Sequence, residues 1–310
     1  METIHTIEKR NTEKKTAVAV GYFDGMHIGH RELMRQMLEC AEKRNLLPTI
    51  LTFDMRSLRA TGKGKHDLFP REHTLRLAEQ MGVQLYAELS FEDIRNMEPD
   101  QFASRVLSGQ FLNADVVFCG TDFRYGKDRA GSVENLLEEG RKNNFEVCPV
   151  ESVTLDGEVV STTRIKDYIR RGEIGKANGM LGAPYSLSGE VIHGNHLAHG
   201  LGFPTANLLF PKDILAPPKG VYLAEVLVGD KKYRGITNIG TRPTITEDVD
   251  STAETHILDF DEDIYGKRIT LLFYDFIRPE QRFQSKEELV KVVQSNIEQA
   301  RNTDFSRFAI

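Results

Sequence analysis

The residues best suited to chemistry stand together near the start of the chain, in Gly21-Tyr22-Phe23-Asp24-Gly25-Met26-His27-Ile28-Gly29-His30. They follow the apolar run Ala17 to Val20 and lead into Leu33, Met34, Met37, Leu38 and Ala41, which recur at helical spacing. A strand end that opens into a helix start offers backbone N–H groups and the positive end of the helix dipole, which together hold a phosphate. Glycines at 21, 25 and 29 let the backbone approach a ligand closely. His27 and His30 are three apart, so one helical turn puts both imidazoles on one face, where they can donate to phosphate oxygens as charge develops. The plainer reading is a glycine-rich turn with surface histidines. Asp24 is structural, or is neutralised by magnesium or a backbone N–H, because a bare carboxylate repels phosphate.

A second group is Thr205 and Asn207. Two apart, they face one side of an extended segment and offer a hydroxyl and an amide oxygen, hard donors that suit Mg2+ beside nucleotide phosphates. Thr205 serves equally well as a strand-cap hydroxyl.

These groups need elements to place them. Over the first 180 residues or so, strands are expected at Ala17 to Val20, Leu47 to Phe53 and Val116 to Cys119. Helices are expected from Arg31, from Pro99 through Phe102, Val106 and Leu107 with Gly109 closing, and after a Ser132 cap through Leu136 and Leu137. That alternation predicts a parallel sheet covered on both faces. After Leu181 strands follow in series: Leu187 to His193, Val221 to Val228, Tyr233 to Asn238, Glu254 or Thr255 to Phe260, and Ile269 to Phe276. The series predicts a small antiparallel β-barrel. A last helix has a Ser285/Glu288 capping box and the apolar stripe Leu289, Val292, Val293 and Ile297. The texture changes at Gly182-Ala183-Pro184, giving domains 1–182 and 183–310.

The stretch around His27 resembles the H-x-G-H nucleotidyltransferases, and its ten-residue form is similar to the bacterial bifunctional riboflavin kinase/FAD synthetase family. Gly120-Thr121-Asp122-Phe123-Arg124-Tyr125-Gly126 resembles that family's G-x-D-F-R-F-G loop, and Ser161-Thr162-Thr163-Arg164-Ile165-Lys166 its S-S-T-x-I-R segment before a helix. Gly202-Phe203-Pro204-Thr205-Ala206-Asn207 matches G-F-P-T-A-N, and Asn238-Ile239-Gly240-Thr241-Arg242-Pro243-Thr244 matches N-I-G-x-R-P-T. The resemblance implies an α/β chain: a Rossmann-like nucleotidyltransferase domain, then a riboflavin kinase-like barrel with a C-terminal helix. It implies attack of the FMN phosphate on the α-phosphorus of ATP, with pyrophosphate leaving and Mg2+ assisting. His27 and His30 then serve the phosphate oxygens, and Arg164 or Lys166 steadies the leaving group. Gly21, Phe23, Asp24, Gly25, Gly29, Ser161 and Thr162 belong to the nucleotide site. Asp122, Phe123 and Arg124 join them there, or an Asp122–Arg124 salt bridge fixes the loop. In the barrel, Glu254 is the implied base toward the ribityl hydroxyl of riboflavin, and Arg242 fixes a loop or contacts phosphate.

Two stretches depart from the family pattern. Where T-F-x-P-H-P is usual, the chain has Thr52-Phe53-Asp54-Met55-Arg56-Ser57-Leu58, followed by a basic run through Arg59, Lys63 and Lys65. This is a solvated loop, or a lid that draws in the FMN phosphate. Where G-x-G-R-G-R-x-L is usual, the chain has Gly194-Asn195-His196-Leu197-Ala198-His199-Gly200-Leu201. Backbone freedom and fixed positive charge are both reduced there. The barrel therefore either phosphorylates riboflavin or is a silent kinase-like scaffold. A flavin-binding regulator with little turnover is the reading from another class.

Composition sets the outer bounds. The chain has 310 residues, 40% hydrophobic and 28% charged, with a net charge of −6, which fits two globular domains and speaks against nucleic acid as a partner. Three cysteines without C-x-x-C spacing fit a reducing compartment. No signal-peptide pattern opens the chain and no apolar run approaches the ~20 residues that span a bilayer, so a cytoplasmic enzyme with small-molecule substrates is expected. Oligomeric state is open.

Overall fold

The computed structural model describes residues 1–7, 14–54, 66–108, 111–193, 203–241 and 249–308. The chain forms two compact units, residues 1–65 with 70–160 and residues 66–69 with 161–310.

In the first unit, Ala17 and Ala19 belong to one buried cluster and Val18 and Val20 to another. A strand apolar on both faces belongs in the middle of a parallel sheet. That strand, β2 (Thr16–Val20), lies in a six-stranded sheet with β1 (Glu2–Ile4), β3 (Leu47–Asp54), β4 (Leu85–Ser90), β5 (Ala114–Gly120) and β6 (Glu146–Val150), in the order β1-β4-β3-β2-β5-β6. Every neighbouring pair is parallel. Helix α1 (Ile28–Arg44) buries Leu33, Met34, Met37 and Ala41 on one face of the sheet and stops at Asn45, whose left-handed φ of 53° ends the helix. Helix α2 (Arg71–Met81) ends the same way on Gly82. The helix expected from Pro99 is broken in two, with α3 (Pro99–Phe102) running into a π-turn over Ala103–Leu107. Gly109 lies outside the described residues. Helix α4 (Val133–Asn143) is capped as expected, the Ser132 hydroxyl accepting the Asn135 N–H at 3.3 Å. A hairpin, β7 (Thr154–Leu155) and β8 (Glu158–Val159), turns at Asp156-Gly157, both at positive φ.

Strand order runs outward from β2 through β3 and β4 on one side, and through β5 and β6 on the other. The order reverses between β2 and β5, and the carboxyl ends of such a pair frame the crevice where α/β sheets bind ligands.

The second unit opens with helices α5 (Thr162–Arg170) and α6 (Ile174–Leu181). They precede the change of texture at Gly182, yet they pack with the barrel. Buried Asn178 donates to the Phe273 carbonyl at 2.8 Å and accepts the Tyr185 N–H at 2.7 Å. Six antiparallel strands follow: β9 (Tyr185–Glu190), β10 (Ala206–Pro211), β11 (Gly220–Val228), β12 (Lys231–Gly240), β13 (Val249–Ile257) and β14 (Arg268–Pro279). Their order is β10-β13-β12-β11-β14-β9, and the two end strands meet where Ile192 donates to the Asn207 carbonyl at 3.0 Å, so the sheet nearly closes into a barrel. Phe210, Tyr185, Tyr222 and Phe273 fill its interior.

Strand β13 corrects the sequence reading. It begins at Val249 and ends at Ile257, because Asp259 turns the chain at φ 55° and the Leu258 N–H bonds the Arg234 carbonyl. Glu254 is therefore interior to the strand, not at its start. Helix α7 (Lys286–Asn302) has its Ser285 cap, but the Glu288 carboxylate reaches the Gln284 N–H and not that of Ser285. Its buried positions are Asn296 and Ala300, while Leu289 and Val293 are only half-buried.

Candidate active sites

The first site sits at the carboxyl end of β2. His27 is the N-cap of α1, and its Nδ1 accepts the His30 N–H at 3.2 Å. The two imidazoles stack with centroids 3.5 Å apart, 18° from parallel, and Phe23 meets His30 edge-on at 5.2 Å. Phe23 is buried and lies over Gly21, so it supports the histidine from beneath. A Cβ on Gly29 would come within 3.3 Å of the His27 ring, so the glycine makes room for that ring. Gly25 takes a φ of 84°, which a side chain would resist, and Asp24 is buried.

Both histidines are neutral at pH 7. Burial pushes His27 down to about 4; a backbone hydrogen bond opposes this, and the Arg31 charge adds to it. Burial first and the neighbouring His27 ring second hold His30 well below the usual imidazole range. The His30 Nδ1 is enclosed and makes no hydrogen bond. Because His27 accepts at Nδ1, its neutral ring carries its proton on Nε2 and can donate it outward. A permanent cation comes instead from Arg31, anchored by its Nε to the Met26 carbonyl at 2.9 Å. The sequence reading used Arg31 only as a helix start. Its place four residues after the N-cap was the available signal.

The neighbouring strand β5 brings a second loop to the same edge of the sheet. Tyr125 and Gly131 exchange backbone hydrogen bonds of 3.1 and 2.9 Å, and the Tyr125 hydroxyl donates to Asn135 at 2.7 Å. A Cβ on Gly131 would lie 2.6 Å from the Tyr125 ring, which explains the glycine. Phe123 stacks on Tyr125 at 5.7 Å. Asp122 and Arg124 are exposed, and no salt bridge joins them among the described residues, so Tyr125 is what pins this loop. The segment read as preceding a helix is itself helical: Ser161 is the N-cap of α5, accepting the Arg164 N–H at 3.3 Å. Thr162 and half-buried Arg164 lie in its first turn, and Lys166 is on its buried side. All four belong to the second unit.

The second site lies on the barrel. Glu254 on β13 stands opposite Asn207 on β10 and opposite Asn238 on β12. Register alone thus sets the candidate base beside the candidate Mg2+ donors. Asn207 is buried and its amide donates to the Thr205 carbonyl at 3.2 Å. Thr205, Asn238 and Glu254 line a cavity of about 600 Å³ whose further wall includes Arg278, Phe283, Leu289 and Val293. His256, bonded through Nδ1 to the Pro204 carbonyl at 2.9 Å, closes the side nearest Thr205. Asn238 was quoted within a motif but given no role; its alignment with Glu254 is what marks it. Arg242, the Gly194–Leu201 turn and the basic run after Asp54 lie outside the described residues.

Both parts of the chain resemble known proteins. Residues 9–164 match the family model described as FAD synthetase, and residues 181–303 the one described as riboflavin kinase. The bifunctional riboflavin kinase/FMN adenylyltransferase of Bacillus subtilis is 30% identical over 310 residues, covering 97% of each chain.

The chain belongs to the bifunctional riboflavin kinase/FMN adenylyltransferase family.

The Escherichia coli member is 33% identical over 290 residues, covering 92% of this chain and 91% of its own. A crystal structure described as a macrolide-efflux protein from Streptococcus pneumoniae superposes with a TM-score of 0.85 at 29% identity, over 98% of this chain and all of that one. Among the described residues no helix is long and apolar enough to cross a membrane. The first match runs past the first unit into the opening turn of α5, the second begins at the last residue of α6, and residues 165–180 of that helical pair lie between them.

Proposed function

We propose that the chain makes FAD in two steps: the second unit phosphorylates riboflavin to FMN, and the first joins that FMN to the adenylyl group of ATP. The observation that carries the reading is the stacked, neutral His27–His30 pair at the start of α1, beside the reversal of strand order. An FMN phosphate oxygen forms the new bond to the α-phosphorus of ATP, and the bond to pyrophosphate breaks. The nucleophile is already an anion, so the site's work is to orient reactants and stabilise charge. The ring N–H groups of His27 and His30, the amides of the first turn of α1 and the Arg31 cation supply that stabilisation.

In the barrel, the ribityl hydroxyl attacks the γ-phosphorus of the second nucleotide, its proton passes to Glu254, and ADP leaves. The described residues hold no cluster of three His, Cys, Asp or Glu side chains suited to a metal, and the hydroxyl and amide oxygens of Thr205 and Asn207 fit a Mg2+ ion that arrives on nucleotide phosphates. When bound, that ion neutralises charge on the transferring phosphoryl group.

Chromatography of flavins after incubation with magnesium-ATP tests the reading. FAD from FMN, and FMN or FAD from riboflavin, are expected. FAD from FMN with nothing from riboflavin would favour a second reading, motivated by His196 and Ala198 in place of glycines: an adenylyltransferase with a silent kinase-like unit. Flavin bound without product from either FMN or riboflavin would instead mean a flavin-responsive binding protein.

A further inference from the structure

The segment that carries Thr205 lies just outside the barrel ladder. Strand β10 begins at Ala206, which is paired with Thr255 on β13. Counting back one step, Thr205 falls opposite His256, and Pro204 before it has no N–H with which to prolong the ladder. A hydroxyl that is to meet an ion must still be held in place, because a site of this kind works only when its donors are oriented in advance.

Two side chains supply that hold. The Asn207 amide N–H donates to the Thr205 carbonyl at 3.2 Å, which leaves its own amide oxygen for the ion. From β13, the His256 Nδ1 lies 2.9 Å from the Pro204 carbonyl. A carbonyl only accepts, so Nδ1 carries the hydrogen and donates it. The Phe203 ring meets the same imidazole edge-on, 85° from parallel, with centroids 5.8 Å apart. One imidazole thus touches both residues that lead into Thr205. The backbone of His256 is fixed in turn by its pairing with Ile236 on β12. It stands two residues from Glu254, on the same side of β13, and His256, Thr205 and Glu254 all line the cavity.

We propose that His256 is the positioning residue for the Mg2+ donors of this unit: its Nδ1–H holds the Phe203–Pro204 backbone so that the Thr205 hydroxyl and the Asn207 amide oxygen face one ion. The inference rests on the kinase reading of this unit. It adds how two parts of the site stay in step. Glu254 and His256 ride on one strand, so the same stretch of β13 sets both the base and the hold on the metal donors.

The test uses the full chain with His256→Asn, His256→Gln and His256→Phe. Asparagine places an amide N–H where Nδ1 stands, glutamine carries its N–H one bond further out, and phenylalanine keeps a ring against Phe203 with no donor. Two quantities are measured: the Mg2+ concentration that half-saturates riboflavin phosphorylation at fixed ATP, and Mn2+ binding in the presence of ADP, followed by electron paramagnetic resonance. His256→Gln and His256→Phe should each raise both constants by about tenfold or more, since groups that orient metal ligands are worth about 10–100-fold in metal affinity. His256→Asn should stay within about threefold of wild type, as should the KM for riboflavin in all three variants. FAD formation from added FMN should keep its Mg2+ requirement. An unchanged metal requirement in His256→Gln and His256→Phe overturns the proposal, as does an equal loss in His256→Asn or a matching rise in the KM for riboflavin. A fall in kcat alone would make His256 a proton acceptor and also overturn it. Should His256→Phe fail to fold, His256→Gln decides. Should the wild type leave riboflavin unphosphorylated, the kinase reading fails, and the Mn2+ titration decides this inference separately. A class of sites weakened in Thr205→Ala and His256→Gln but kept in His256→Asn sustains it, and the lack of such a class ends it.

Discussion

The ring of His27 lies parallel to that of His30 within 18° and accepts its backbone N–H, so one side chain both caps a helix and faces the crevice. Neither imidazole can take a proton without placing charge against its neighbour at 3.5 Å. In the proposed mechanism the pair therefore serves as fixed neutral donors, not as a proton shuttle.

His30→Ala should lower kcat for FAD formation from FMN by about 10²–10³-fold, as loss of a single charge-stabilising donor does. Riboflavin phosphorylation should be unchanged. His27→Ala should show a similar kinetic loss and also reduce stability by about 1 kcal/mol, because the N-cap goes with it. Product assays and thermal melts on both variants check this; near-normal FAD formation by His30→Ala would remove the assignment.

Adenylyl transfer should show no requirement for an imidazolium. The acid limb of kcat should track the phosphate of FMN, with a pKa near 6 expected for a phosphomonoester, and the rate should be flat from about pH 7 to 8.5. Stability has its own pH dependence. His27 titrates near 4 when folded and near 6.5 when unfolded, so between those values the unfolded chain binds the extra proton. Stability is intact above about 6.5 and falls toward pH 4, His27 alone accounting for up to about 3 kcal/mol. His73, also lowered to about 4 by burial and then by Arg76 and Arg31, acts in the same direction. Denaturant melts from pH 4.5 to 7.5 should show that slope, and a wild type equally stable across the range would contradict it.

Glu254→Gln should cut riboflavin phosphorylation by about 10²–10⁴-fold, the usual worth of a general base. FAD formation from added FMN should be untouched. The carboxamide keeps the shape, so the KM for riboflavin should move little. An active Glu254→Gln enzyme would assign the proton to another group.

Asn178→Ala should cost about 3 kcal/mol, since it leaves the Phe273 carbonyl and the Tyr185 N–H without their buried partner. Thermal melting of the second unit should report it. A melting point unchanged from wild type would mean that the helical pair is held by something other than this amide.

Much of this was legible in the sequence. The alternation of strand and helix, the two faces of β2 and the spacing of His27 and His30 are local patterns, and local patterns survive into the fold. Strand β13 was read five residues late, because Val249-Asp250-Ser251-Thr252-Ala253 has little apolar alternation and its place is fixed by partners on β10 and β12. The stripe Leu289, Val292 and Val293 looked like core, yet Leu289 and Val293 line a cavity, a distinction that periodicity does not carry. Asn296, three residues beyond Val293, was the polar break in that stripe, and its burial is not carried by spacing either. Arg278, which lines the same cavity as Glu254, is joined to it only by pairings through β11 and β12. The start of the second unit at Ser161 was equally hidden, since it depends on where Asn178 finds its partners.

Because Glu254 is set opposite Asn207 and Asn238 by pairing alone, strand register is a part of the proposed kinase chemistry. Side chains alternate along a strand, so sliding β13 by a single residue would point Ala253 or Thr255 where Glu254 stands and leave the outline of the barrel almost unaltered. A misthreaded copy of this kind would look folded by its circular dichroism and lack the proposed kinase base. The hydrophobic interior facing the other way, with Ala253 and Thr255 buried, guards against that error, so the same alternation that packs the barrel also proofreads its active site.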